Sequence, residues 1–256
     1  MNDGTGGDAA AGYDERFYGW QAAGSYRSAQ RVLSWLFARY RPQSLLDVGC
    51  GIGTWLKAAA QLGVSDLEGI EGTWSDAQPL LVEGERIHRC DLEQGFDRGR
   101  RFDLVISLEV AEHLAPQRAE AFVRNLTAHA DLVLFSAAPP HQGGIHHVNE
   151  QWPAYWQRLF KACGYAASDV LRTTLWQDPE IEWWYRQNAV LYAQPGHPLW
   201  QQMQPCEHLL PLVHPDKYIE MAELLADPAR ASLRQTLQHL PRQVARVLRH
   251  RLRRRP

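Results

Sequence analysis

Nothing constrains this chain more than residues 44–56, SLLDVGCGIGTWL. The run Leu45-Leu46-Asp47-Val48 has the apolar density of a buried strand. Gly49, Gly51 and Gly53 then turn the chain, and a helix is expected to resume at Thr54-Trp55-Leu56-Lys57. Glycines let a ligand approach the backbone closely, and the free N–H groups of a first helical turn face it. The spacing is G-x-G-x-G. It is neither the dinucleotide fingerprint G-x-G-x-x-G nor a phosphate loop closing on Gly-Lys-Ser/Thr. Asp47, immediately before the turn, would sit badly against a pyrophosphate and suits a cationic or hydroxyl-bearing ligand. A tight turn that only joins strand to helix remains the plainer alternative.

Around this turn the chain alternates. Strands are expected at 45–48, 67–70, 86–88, 102–107, 132–136 and 188–193, with helices at 54–62, 116–129 and 152–163. Such βα periodicity builds a mostly parallel sheet with helices on both faces, and ligands bind beyond the carboxyl ends of its strands. Upstream, residues 1–12 are small, polar and glycine-rich, and are expected to be disordered. Residues 13–40 read as helical in two pieces, with Ala29, Val32, Leu33, Leu36 and Phe37 at helical spacing. Phe17, Tyr18 and Trp20 either cover a ligand as a lid or pack as an ordinary helix.

The string LLDVGCGIG resembles the first motif of class I S-adenosylmethionine-dependent methyltransferases. The resemblance covers about residues 13–194. It implies a Rossmann-like, mostly parallel seven-stranded sheet with flanking helices, N-terminal lid helices and a C-terminal helical extension. It also implies that Asp47, Gly49, Gly51 and Gly53 hold the methionyl half of S-adenosylmethionine. Glu71, closing the second strand, would accept from the ribose diol, and Asp91 with Leu92 would contact the adenine. Each of these acids has a plainer reading, Glu71 as a solvent-facing strand end and Asp91 as a turn or helix cap.

A second distinctive string, FDLVISLEVAEHL at 102–114, places Glu109, Glu112 and His113 just past the fourth strand. Glu109 and Glu112 would share a face if the segment were helical. A loop with His141, His146, His147 and Glu150 follows the fifth strand. Two chemistries fit these residues. His113 or His147, with Glu112, acts as general base on a hydroxyl. Alternatively Glu109, Glu112, His113 and His147 hold a divalent ion (Mg, Mn, Zn or Fe) that lowers the pKa of a substrate hydroxyl. The plainer readings are a cofactor or backbone contact for Glu109 and a core histidine for His113. The E-x-x-E-H string is similar to the metal site of small-RNA 3'-terminal 2'-O-methyltransferases and to a string in ubiquinone-pathway O-methyltransferases. With HVNEQWPAYW and WWYRQN it also resembles bacterial methyltransferases of polysaccharides and secondary metabolites. The expected activity is therefore O-methylation of a sugar, glycan or small natural product. RNA 2'-O-methylation and a non-catalytic cofactor-binding scaffold are the alternatives. Tyr155, Trp156, Trp183, Trp184, Tyr185, Gln187 and Asn188 either line the acceptor pocket or belong to the core.

Charge separates the chain's end from its body. After Asp227 there are nine arginines and no acidic residue, although the whole chain carries a net charge of -2. The expected organisation is a methyltransferase domain with its helical cap at 13–195, added helices at 196–228 and a basic amphipathic tail at 229–256. The tail reads first as a solubilising end, then as a peripheral contact with an anionic membrane, and last as a nucleic-acid contact. Four cysteines without metal spacing fit a reducing compartment, and no apolar run is long enough for a span. A cytoplasmic protein is expected, with the inner membrane face as a peripheral site.

Overall fold

The computed structural model of the protein describes residues 8–72 and 79–226, with side chains from residue 23 onward. Five parallel strands come first: β1 (Ser44–Val48), β2 (Asp66–Glu71), β3 (Ile87–Arg89), β4 (Leu104–Leu108) and β5 (Leu132–Ser136). Three antiparallel strands follow: β6 (Ala166–Ser168), β7 (Val190–Ala193) and β8 (Pro205–Cys206). The sheet order is β3-β2-β1-β4-β5-β7-β6-β8. It reverses direction between β1 and β4, so the tips of these two strands diverge and leave a crevice.

Period-two alternation along each strand splits the core in two. Leu45, Leu104, Ile106, Leu132 and Leu134 point to one face, against Ala29, Leu33 and Leu36 of α1 (Asp8–Phe37) and Leu56 of α2 (Thr54–Gln61). Leu46, Val48, Val105, Val133 and Phe135 point to the other. There they meet Phe122 and Leu126 of α3 (Ala119–His129) and Trp156 and Phe160 of α4 (Pro153–Ala162). With both faces covered, β1, β4 and β5 read as nearly unbroken apolar runs. Each fully buried leucine contributes roughly 1.5–3 kcal/mol by leaving water. Trp156, a candidate pocket residue, is a core residue packed against Phe135 with ring centroids 5.2 Å apart.

Two features depart from expectation. The sheet has eight strands rather than seven, because the two-residue β8 pairs with β6 and is too short to leave a periodic signal. α1 is one helix from Asp8, not two pieces after a disordered stretch to residue 12. Further along it Ser28 is fully buried and Arg31 pairs with Asp178 at 2.7 Å, whereas the side chains of Phe17, Tyr18 and Trp20, expected as a lid or an ordinary helix, lie outside the described residues. The first compact unit ends at Leu212. The reason is a set of ties from 205–210 into the sheet region. Gln157 bonds Cys206 O, Glu207 O and Leu209 N, and the buried Arg172 guanidinium donates to Leu210 O at 3.0 Å while pairing with Asp169. Between them lie the short helices α5 (Val170–Leu175), α6 (Trp183–Asn188) and α7 (Trp200–Met203).

The second unit, Val213–Pro256, contributes α8 (Pro215–Ala226), where Lys217 pairs with Glu220 at 2.9 Å. The basic tail expected at 229–256 lies outside the described residues. No helix among the described residues is long and apolar enough to cross a membrane.

Candidate active site

At the tips of β1 and β2 the site is made largely of backbone. The amides of Gly49 and Cys50 both donate to Ile70 O, at 2.8 and 3.1 Å, which fastens the glycine turn to the neighbouring strand. Gly49, Gly51 and Gly53 have φ of 81°, 55° and 86°, a region costly for residues with a Cβ. A Cβ on Gly49 would collide with Val110, and one on Gly53 with Val82. At Gly51 it would meet no described atom within 4 Å.

Two buried carboxylates, Asp47 and Glu71, stand at the ends of these two strands. Asp47 is 3% exposed and its Oδ2 has no hydrogen-bond partner. Burial, and then the negative charge of Glu71, push its carboxyl up to about 8. Glu71 is 2% exposed. It accepts from the Gly51 amide and, at 2.8 Å, from the Gly72 amide. Burial raises its pKa, and those two N–H groups partly offset the rise. Glu71 is thus an inward-turned acid at a strand end, not a solvent-facing one. One strand further, Cys90 N donates to the main-chain O of Glu71 at 3.0 Å, one residue before Asp91. Asp91 is exposed and accepts from Glu93 N at 2.9 Å in a local turn, and Leu92 packs on the core.

The tips of β4 and β5 are built differently, from side chains. Glu109 follows β4 in a left-handed conformation, φ 56°, and its amide donates to Ser136 O and Oγ, each at 3.1 Å. A 3-10 turn at Ala111–His113 comes next. The two glutamates therefore do not share a helical face. The Glu109 carboxylate accepts from Gln142 at 2.7 Å and from Asn188 at 3.1 and 3.3 Å. Gln187 bonds both Gln142 and Asn188, at 3.3 and 3.0 Å, completing a cage of amides. Burial raises the Glu109 pKa, against the hydrogen bonds of Ser136, Asn188 and Gln142.

Glu112 has no such partners. It is 0% exposed and neither carboxylate oxygen has a hydrogen bond. Its pKa rises well above the usual range through burial and then through the charge of Glu109. Its carbonyl takes the amides of Val148 and Asn149 at 2.9 and 3.0 Å, which draws the loop after β5 over it. One ligating atom each of Glu112, His113 and His147 then lie within 4.8 Å of one another. The two imidazoles meet edge to face, with centroids 4.8 Å apart. Burial, and then the neighbouring His147, hold the His113 pKa below its usual value.

Of the four residues expected to hold a metal, the fold gathers three. Glu109 stands apart from that cluster, with its carboxylate bonded by Gln142 and Asn188. The sequence reading assigned no role to Gln142 or Glu150. The signal for Glu150 was its place three residues after His147 in one loop. Gln142 gave none.

Residues 21–204 match a family described as a methyltransferase domain. Ubiquinone biosynthesis O-methyltransferase of Nitrobacter winogradskyi is 32% identical over 76 residues, 28% of this chain and 29% of that protein. Its counterpart in Bradyrhizobium diazoefficiens is 29% identical over 75 residues, 27% of this chain and 29% of its own length. The matches thus span less than a third of these curated relatives. Among solved structures, Streptomyces venezuelae DesVI is similar in fold, with a TM-score of 0.53 at 16% identity, covering 74% of this chain and 100% of that one.

Proposed function

The chain belongs to the class I S-adenosylmethionine-dependent methyltransferases, with residues 21–204 forming the family's domain, and from that premise we propose that it methylates a hydroxyl of a sugar, glycan or small natural product with help from a divalent ion. When bound, S-adenosylmethionine supplies an electrophilic methyl group on a sulfonium. The observation that carries the cofactor half is the pairing of open space beside Gly51, among the described residues, with the orphaned carboxylate oxygen of Asp47. A buried acid without a partner is costly. A cationic ligand at that turn relieves the cost, as a phosphate could not. Glu71 and Asp91, on adjacent strand tips, offer acceptors for the ribose hydroxyls and the adenine amino group. Gly49 and Gly53 keep the turn in the conformation that exposes Gly51.

Glu112, His113 and His147 would hold the divalent ion, and such an ion would supply Lewis-acid activation of a hydroxyl. The support is Glu112 itself, a fully buried carboxylate with two unsatisfied oxygens beside two imidazoles. One carboxylate with two imidazoles suits zinc or iron better than magnesium or manganese. The chain's own contribution is to desolvate the acceptor and align it. Its lowered pKa leaves His113 neutral near pH 7, able to ligate or to take a proton on a ring nitrogen.

The test is calorimetry with S-adenosylmethionine on the wild type and on Gly51→Asp, followed by turnover of hydroxyl acceptors before and after chelation. Wild-type binding that the substitution abolishes, with turnover lost on chelation and restored by metal, supports the whole reading. Unchanged binding by Gly51→Asp overturns the cofactor site. Chelator-resistant turnover overturns the ion and leaves histidine as general base.

A further inference from the structure

One carboxylate in the acceptor loop is used three times. Glu150 Oε2 accepts the His141 amide at 2.8 Å. Its Oε1 accepts the Gly143 amide at 3.1 Å and lies 3.0 Å from Nδ1 of His147. These bonds close the loop on itself and tie that closure to one imidazole. On the other side of the ring Gly144 lies so close that a Cβ there would collide with Nε2. The ring is thus held along one edge and wedged along another. The neighbouring backbone pays for this, since His141 and His146 both take left-handed φ, 71° and 60°.

We propose that Glu150 is a positioning residue that fixes the tautomer of His147. A carboxylate can only accept, so the bond at Nδ1 places the imidazole proton there and leaves Nε2 with the lone pair. A histidine that ligates a cation or takes a proton through Nε2 needs this arrangement, and a carboxylate on the far nitrogen is the usual way to impose it. Free histidine favours the opposite tautomer, so the loop works against the intrinsic preference. Glu150 gains this role only if His147 acts on the acceptor as set out above, but the tautomer itself depends on neither cofactor nor metal.

The experiment is long-range proton–nitrogen NMR of the histidine rings in the full chain, labelled with nitrogen-15 on histidine and free of cofactor and metal. His147 is assigned by its disappearance in His147→Gln. The expected wild-type signal has the proton on Nδ1. Glu150→Gln, whose amide oxygen still accepts, keeps that pattern. Glu150→Ala moves the majority tautomer to Nε2–H. His129, whose Nδ1 lies 2.7 Å from Asn125 O far along α3, reports that the fold is intact. A wild-type His147 protonated on Nε2 overturns the proposal, as does an Nδ1–H pattern that survives Glu150→Ala. If the alanine variant does not fold, the wild-type and glutamine spectra still decide. Failure of S-adenosylmethionine to bind would overturn the methyltransferase reading and leave this result standing.

Discussion

The two halves of the site are built by opposite means. At the tips of β1 and β2 the geometry belongs to the backbone, with three glycines at positive φ and amides pinned to Ile70 O. At the tips of β4 and β5 it belongs to side chains delivered by a loop, with Glu112 orphaned and Glu109 caged. A backbone site recognises one ligand and tolerates little change, because a Cβ at Gly49 or Gly53 has nowhere to go. A side-chain site can be re-specified by exchanging residues on a loop. In the function proposed above, the invariant reactant belongs to the first half and the variable one to the second.

The comparison breaks if the halves respond alike to substitution. The largest effect is expected at His147→Ala, a drop in kcat of about 10²–10⁴-fold with cofactor binding preserved. Rapid-quench turnover alongside calorimetry would separate the two, and a joint loss would mean the halves are not independent. Gly51→Asp should weaken S-adenosylmethionine by about 100-fold or more, roughly 2.7 kcal/mol, with a smaller loss of melting temperature than at Gly49, because its φ of 55° strains any residue with a Cβ although that Cβ would meet no described atom within 4 Å. Gly49→Ala should instead unfold the protein at lower temperature, since it meets Val110.

Asp47 sharpens the contrast through pH. Its carboxyl is raised from 3.8 to about 8, so between those values the folded chain binds the extra proton. Stability from this group is full below about pH 4 and is lost as pH rises through about 8. Asp47→Asn should flatten that slope and be the more stable protein at pH 8, by an amount on the order of a few kcal/mol. Urea melts at pH 5 and pH 8 would show it, and parallel slopes for the two proteins would contradict the assignment. Cofactor binding that uses the Asp47 anion should release a proton, visible as a dependence of the binding heat on buffer ionisation enthalpy. The smallest effect belongs to Asp91→Asn. It is exposed and already bonded to Glu93 N, so about a fivefold loss of cofactor affinity, near 1 kcal/mol, is the expectation.

The contrast also explains what the sequence could disclose. The glycine turn was legible because a backbone conformation leaves its mark in residue type, and β1, β4 and β5 were legible because burial on both faces makes them nearly continuous apolar runs. Glu109 misled because its string suggests a helix. The actual left-handed residue and 3-10 turn send its carboxylate toward Gln142 and Asn188, more than thirty residues away in the chain. Nothing local encodes that cage. The reach of the first unit to Leu212 was hidden for the same reason, because its fastenings are single hydrogen bonds from Gln157 and Arg172 to distant carbonyls.

The two rims of the sheet are short, three residues in β3 and two in β8, and β8 opens on a proline. A proline offers no amide to an incoming strand, and so brief a border gives a foreign segment little to zip against. The sheet thus carries its own guard against edge-to-edge aggregation. The guard costs only two residues, and Pro205→Val with Cys206→Thr should be enough to weaken it, seen as faster growth of light scattering in concentrated solution.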